Sequence, residues 1–175
     1  MMAERFNKYN VSGLQNRDVF VDANVLISLF WSTSGGEFWE IECSKVYRAL
    51  LRQGNRLFVD FLVISEITNR ILRIEHKGLQ PEQNFKQFRD SKQGETALSD
   101  IYSIIKNRIL EDFNVIENSF SEADIENCLT INSLDFIDKG ILKICQENEF
   151  VLFTNDKDYK DSDIDIITCN RHICY

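Results

Sequence analysis

The chain is poor in the residues that interrupt structure: one proline and seven glycines in 175 positions. Flexible linkers and low-complexity tails are rich in such residues, so their scarcity excludes long ones. No apolar stretch approaches the roughly 20 residues needed to span a bilayer. The opening MMAERFNKYNVSGLQNRD lacks the apolar h-region of a secretory signal. The expectation is therefore a cytosolic protein with no membrane partner. Positive charge is also short, with 20 basic against 28 acidic residues and a formal charge of −8. That excludes a protein living on unspecific attraction to phosphate backbones. It does not exclude an enzyme whose own site is acidic. The five cysteines, at 43, 128, 145, 169 and 174, are odd in number and form no CxxC pair. Cys145 falls on a helical apolar stripe and reads as a buried free thiol. The tail CNRHIC brings Cys169, His172 and Cys174 together but offers no fourth ligand for zinc. His76 and His172 have no evident partners and are expected at the surface.

What is present suits one soluble domain: 43% hydrophobic and 27% charged residues over a length able to bury a single core. A core over 18–168 is expected, with an N-terminal arm at 1–17 and a tail at 169–175. Five apolar runs read as strands: DVFVD (18–22), RLFVD (56–60), FNVIE (113–117), FVLFT (150–154) and IDIIT (164–168). None alternates cleanly, as expected of strands covered on both faces. Helical patterns lie between them, at about 37–53, 62–76, 94–113, 121–130 and 134–148. Alternating strands and helices imply a three-layer α/β/α sandwich with a mostly parallel sheet of about five strands.

Acids stand where this architecture places ligand sites. VFVDANVLISLF, residues 19–30, is strongly apolar yet holds Asp22 and Asn24. An unpaired charge in such surroundings shifts its pKa, finds a partner or binds a metal. Asn24 can serve as a helix cap, which leaves Asp22 at the carboxyl end of a strand. Helix 62–76 carries Ile64, Ile67, Ile71 and Ile74 as its core stripe, with Glu66 beside them near the helix start. Arg70, Arg73 and Lys77 follow Glu66 as one basic row, read either as a solvated face or as a track for a phosphate backbone. In SLDFIDKGILKICQEN, at about 100° per residue from Leu134, Asp138 falls near 40°, inside the apolar arc, and Asp135 near 100°, at its edge. Asp138 therefore needs a partner. The strand ending at Thr154 is followed by Asn155 and Asp156, again at the carboxyl edge. Asp22, Glu66, Asp138 and Asp156 can converge there, and four ionised carboxylates in one place require counter-charge. Hard cations such as Mg²⁺ or Mn²⁺ take oxygen ligands and supply it.

VFVDANVLI at the first strand, VISEITNR at the second and DKGILKICQENEFVLFTND near the end together resemble a PIN-domain ribonuclease, over residues 18–168. In that family an Asp closes the first strand and an acid opens the helix after the second. A further Asp stands eighteen residues before the Asp of a T-x-D element, as Asp138 does before Asp156. The resemblance implies Asp22, Glu66, Asp138 and Asp156 as catalytic metal-binding acids, with Asn24 and Thr154 as small polar supports. It implies an Mg²⁺- or Mn²⁺-dependent endoribonuclease, often a toxin of a bacterial toxin–antitoxin pair. The implied partners are RNA, an antitoxin protein and a second copy of the chain. The length departs from the compact toxin type, with the surplus in the arm and in 78–112. Two other readings compete. A haloacid-dehalogenase-type phosphatase also carries an Asp after its first strand, but needs a second Asp where Asn24 stands. A catalytically silent binding module would keep the fold without turnover.

Overall fold

In a computed structural model, residues 3–31 and 37–173 are described; Cys174 of the tail lies outside them. Six strands, all parallel, form one sheet: β1 (Arg5–Phe6), β2 (Val19–Val21), β3 (Leu57–Val59), β4 (Asn114–Val115), β5 (Val151–Phe153) and β6 (Ile166–Ile167). Their spatial order is β1-β6-β5-β2-β3-β4. The central pair β2 and β5 is wholly buried, which accounts for the unbroken apolar runs.

Among the described residues, eight α-helices connect and cover the strands: α1 (Ala23–Phe30), α2 (Glu37–Arg52), α3 (Phe61–Leu79), α4 (Phe85–Arg89), α5 (Lys92–Ile104), α6 (Leu110–Asp112), α7 (Glu122–Cys128) and α8 (Phe136–Glu147). The architecture is the expected α/β/α sandwich. None of the helices is long and apolar enough to cross a membrane among the described residues.

Three details differ from the sequence reading. The sheet gains a sixth strand from the stretch read as an arm. Two residues make no apolar run, so β1 is invisible to periodicity. It is held instead by pairing with β6 and by the Arg5 guanidinium, which donates to the carbonyls of Ile164 and Ser162, each at 2.8 Å. The helix expected over 94–113 is broken by a π-turn at Ile105–Ile109. The wider turn keeps Ile101, Ile105 and Ile109, spaced by four, on the buried side. Finally, the buried stripe of α3 runs through Val63, Ile67 and Ile71. Ile64 is only partly buried and Ile74 is exposed. At 100° per residue Ile74 falls between Val63 and Ile67, so its exposure reflects its place along the helix, where it lines an open cleft.

The chain runs from β2 outward through β3 and β4, then returns to the centre at β5 and runs the other way through β6. The reversal lies between β2 and β5. In open parallel sheets the carboxyl ends at such a reversal form the crevice that receives a ligand. Pairing of Val21 with Phe153 puts Asp22 and Thr154 side by side at that point.

Candidate active site

Asp22 stands between β2 and α1 with an extended backbone and makes no side-chain cap bond to the helix. Asn24, read above as the cap of this helix, is instead its second residue. The Asp22 carboxylate faces Thr154 and Asn24. Its Oδ2 accepts the Thr154 hydroxyl at 2.6 Å and the Asn24 amide at 2.5 Å. The Asn24 amide also reaches Thr154 Oγ1 at 3.1 Å, and Thr154 Oγ1 accepts the Asp156 N–H at 3.0 Å. Asp22 is 4% exposed and Thr154 fully buried. Burial, together with the negative charges of Glu66 and Asp138, pushes the Asp22 carboxyl up to about 7, against hydrogen bonds from Thr154 and the Ala23 N–H.

Asp138 occupies the first turn of α8. It shares a reciprocal capping box with Asp135, whose Oδ1 accepts the Asp138 N–H at 2.9 Å. Asp135 is exposed, whereas Asp138 is half-buried. The buried Tyr159 hydroxyl donates to Asp138 Oδ1 at 3.0 Å. Burial raises the Asp138 carboxyl to about 6; Tyr159 opposes that, while the charges of Asp135 and Asp156 add to it. Asp156 starts a 3-10 turn over Lys157–Tyr159, and its Oδ1 accepts the Asp158 N–H at 3.0 Å. Glu66, on α3, forms an ion pair with Arg70 at 2.9 Å.

The four acids are thus linked by repulsion: Glu66 and Asp138 act on Asp22, and Asp156 acts on Asp138. Among the described residues no three His, Cys, Asp or Glu side chains form a group that could hold a metal ion. The donor chemistry nevertheless fits a hard divalent cation. Every candidate ligand is a carboxylate oxygen, and a buried carboxylate repelled by its neighbours gains from added positive charge.

A cleft of about 710 Å³ reaches one of these acids, Asp156, and is lined also by Asn24, Ser28, Arg70 and Ile74. The basic row divides around it. Arg70 lines the cleft, the Arg73 guanidinium lies 4.3 Å from the centre of the Phe85 ring, and Lys77 is exposed near the end of α3. His76, expected to lack partners, has several: its Nε2 is 2.6 Å from the Gln83 carbonyl, and its ring packs against Phe85 and Phe88. Both phenylalanines belong to α4, an element the sequence did not reveal. Sequence reasoning also passed over Tyr159 and Asn155. The Asn155 N–H donates to Asn24 Oδ1 at 3.1 Å, and its side chain ties the site loop to the segment after β6. The signal available was position alone: Asn155 directly follows the strand FVLFT, and Tyr159 lies four residues further on.

Residues 19–164 match the profile of the PIN domain. PAE2754 from Pyrobaculum aerophilum, known from a crystal structure, is similar at 16% identity over 86% of this chain and 83% of its own, with a TM-score of 0.47. No curated protein matches. PIN domains are generally nucleases that depend on divalent metal. With that profile spanning most of its length, the chain belongs to the PIN-domain family.

Proposed function

We propose that the protein is an Mg²⁺- or Mn²⁺-dependent endoribonuclease that acts as the toxin of a toxin–antitoxin pair. The observation that carries this reading is Asp22. It is a carboxylate buried at the topological reversal, without a side-chain cap bond to its helix, and repelled by two further acids. Asp22, Glu66, Asp138 and Asp156 would hold the ion, which when bound supplies a more acidic water nucleophile and positive charge beside the scissile phosphate.

The protein's own groups prepare that site. Thr154 and Asn24 hold the Asp22 carboxylate in one orientation. Tyr159 does the same for Asp138. Burial of both acids keeps bulk water from screening them. Arg70 balances Glu66 and faces the cleft, where an RNA phosphate would compete for its guanidinium. Arg73 and Lys77 would extend that contact along α3. Besides RNA, an antitoxin protein and a second copy of the chain are the proposed partners; the exposed Ile125, Leu129, Ile131 and Phe136 offer apolar surface for either. The family assignment sets the phosphatase reading aside, in keeping with Asn24 at its second Asp position.

End-labelled single-stranded RNA incubated with the protein in Mn²⁺, Mg²⁺ or chelator tests the reading. Cleavage is expected with either metal and not with chelator. Asp138→Asn should abolish it, while Asp135→Asn, which keeps a capping side chain, should retain much of it. Metal-dependent cleavage undiminished in Asp22→Asn and Asp138→Asn would refute the four-acid site. Binding without turnover by the wild-type protein in every metal would favour the silent module.

A further inference from the structure

Away from the acids, two cysteines far apart in sequence meet. Cys43 Sγ on α2 and Cys169 Sγ just after β6 lie 3.7 Å apart across a sequence separation of 126. Both are free thiols. A disulfide needs about 2.05 Å between its sulfurs, so a small rotation of either side chain separates the dithiol from a bond. Two hydrogen bonds from one side chain hold the pair in register. Asn155 Nδ2 donates to Cys43 Sγ at 3.2 Å, and Asn155 Oδ1 accepts the Cys169 N–H at 2.8 Å.

The surroundings differ for the two sulfurs. Cys43 is fully buried. Cys169 is half-buried and lines a cavity of about 70 Å³ with Lys8, Glu42, Thr168 and Arg171, space enough for several water-sized molecules. Contact with Cys169 holds the Cys43 thiol below its ordinary range against the effect of burial, and the Asn155 amide adds to this; the same contact and burial push Cys169 up. Access and acidity are therefore divided: one sulfur meets solvent, and the other is the readier nucleophile.

We propose that Cys43 and Cys169 form a reversible disulfide when the protein meets a hydroperoxide, with Cys169, the sulfur that meets solvent, oxidised first and Cys43 as the resolving thiol. In the first step Cys169 sulfur attacks the O–O bond of hydrogen peroxide. The S–O bond of a sulfenic acid forms, and the departing hydroxide takes the thiol proton as water. In the second step Cys43 sulfur attacks the sulfenic sulfur. The S–S bond forms, the S–O bond breaks, and the hydroxide leaves as a second water with the Cys43 proton. Two thiols are oxidised and one peroxide is reduced. The bond would clamp α2 and the segment after β6 on either side of Asn155. Asn155 N–H holds Asn24, and Asn24 holds Asp22, so the clamp stands two residues from the candidate active site.

The test uses the full chain, reduced, desalted and treated with a few equivalents of hydrogen peroxide. Remaining thiols are then alkylated under denaturing conditions, and the peptides mapped without reduction. A cross-linked Cys43–Cys169 peptide is expected, with two fewer alkylated cysteines and recovery of both by dithiothreitol. Closing so long a loop should raise the melting temperature by about 10 °C. Cys169→Ser should abolish the cross-link and the rise while leaving the melting point of the reduced protein near that of the wild type. Cys174→Ser should leave the cross-link intact, which separates it from pairing within the tail. Three results would overturn the proposal: both cysteines still open to alkylation after peroxide, Cys169 carried to sulfinic acid with Cys43 free, or a Cys169–Cys174 link in place of the expected one.

Discussion

Replacing Asp22 with Asn should stabilise the metal-free protein, and by more as the pH rises. Folding takes the Asp22 carboxyl from an ordinary 3.8 to about 7, so the folded state binds the proton more tightly than the unfolded chain. That contribution is fully present below the unfolded pKa and is lost as pH climbs through the folded one. The window is therefore about pH 4 to 7. Above it, a shift of this size costs the wild type about 4 kcal/mol at roughly 1.4 kcal/mol per unit. Asn keeps an oxygen for the Thr154 and Asn24 donors, which both reach Oδ2. A gain of about 4 kcal/mol corresponds to roughly 8–16 °C in melting temperature for a chain of this size. Thermal melts of both proteins in chelator, at unit steps from pH 4 to 9, read the effect. The curves should converge near pH 4 and separate through pH 7, with Asp138, raised to about 6, steepening the decline in both. A variant that melts below the wild type at pH 8, or by a margin independent of pH, would refute the reasoning.

Saturating Mn²⁺ or Mg²⁺ should raise the melting temperature of the wild type by linkage and that of Asp22→Asn much less; equal wild-type melting in chelator and in excess metal would refute a shared metal site. Replacing Arg70, Arg73 and Lys77 together with Gln should weaken RNA binding and flatten its salt dependence by about two units of slope, at about 0.7 per phosphate for single strands. Fluorescence anisotropy with the inactive Asp22→Asn protein at several salt concentrations measures this, and an unchanged slope removes α3 from the RNA path.

How much of this was legible beforehand depended on whether the relevant signal was local. The central strands and the large helices could be read because burial on both faces, or on one stripe, writes itself into a short window of sequence. Asp138 was separated from Asp135 by helical angle and by its eighteen-residue spacing to Asp156, and the half-buried and exposed settings of the two side chains follow that order. Non-local facts left no such trace. The partner of Arg73 is Phe85, in a stretch with no pattern that announced a helix. Asn155 has its place through contacts with Asn24 and Cys43 at separations of 131 and 112. Strand β1 exists only because β6 presents an edge to it.

The limit of local reading is clearest in two aspartates that the sequence presents almost identically. VFVDANVL and LFVDFLVI each run an apolar strand into an Asp and then into an apolar helix. Pairing of Val19 with Leu57 and Phe20 with Phe58 sets Asp22 and Asp60 level on adjacent strands. Both are almost fully buried, and burial raises the pKa of each. Their duties nevertheless differ. Asp60 turns its carboxylate into α3, where Oδ1 accepts the Val63 N–H at 2.9 Å, so its burial is explained by the helix it caps. Asp22, at the N-cap of α1, makes no side-chain cap bond and turns across the reversal of the sheet toward Thr154 and Asn24. The difference lies in the neighbouring strand: Asp22 stands beside β5, whose end supplies a hydroxyl, while Asp60 stands beside β4, which follows with Ile116 at the corresponding position. A carboxylate kept buried without a helix to cap is the one whose cost calls for another explanation, and the divalent cation proposed above would supply it.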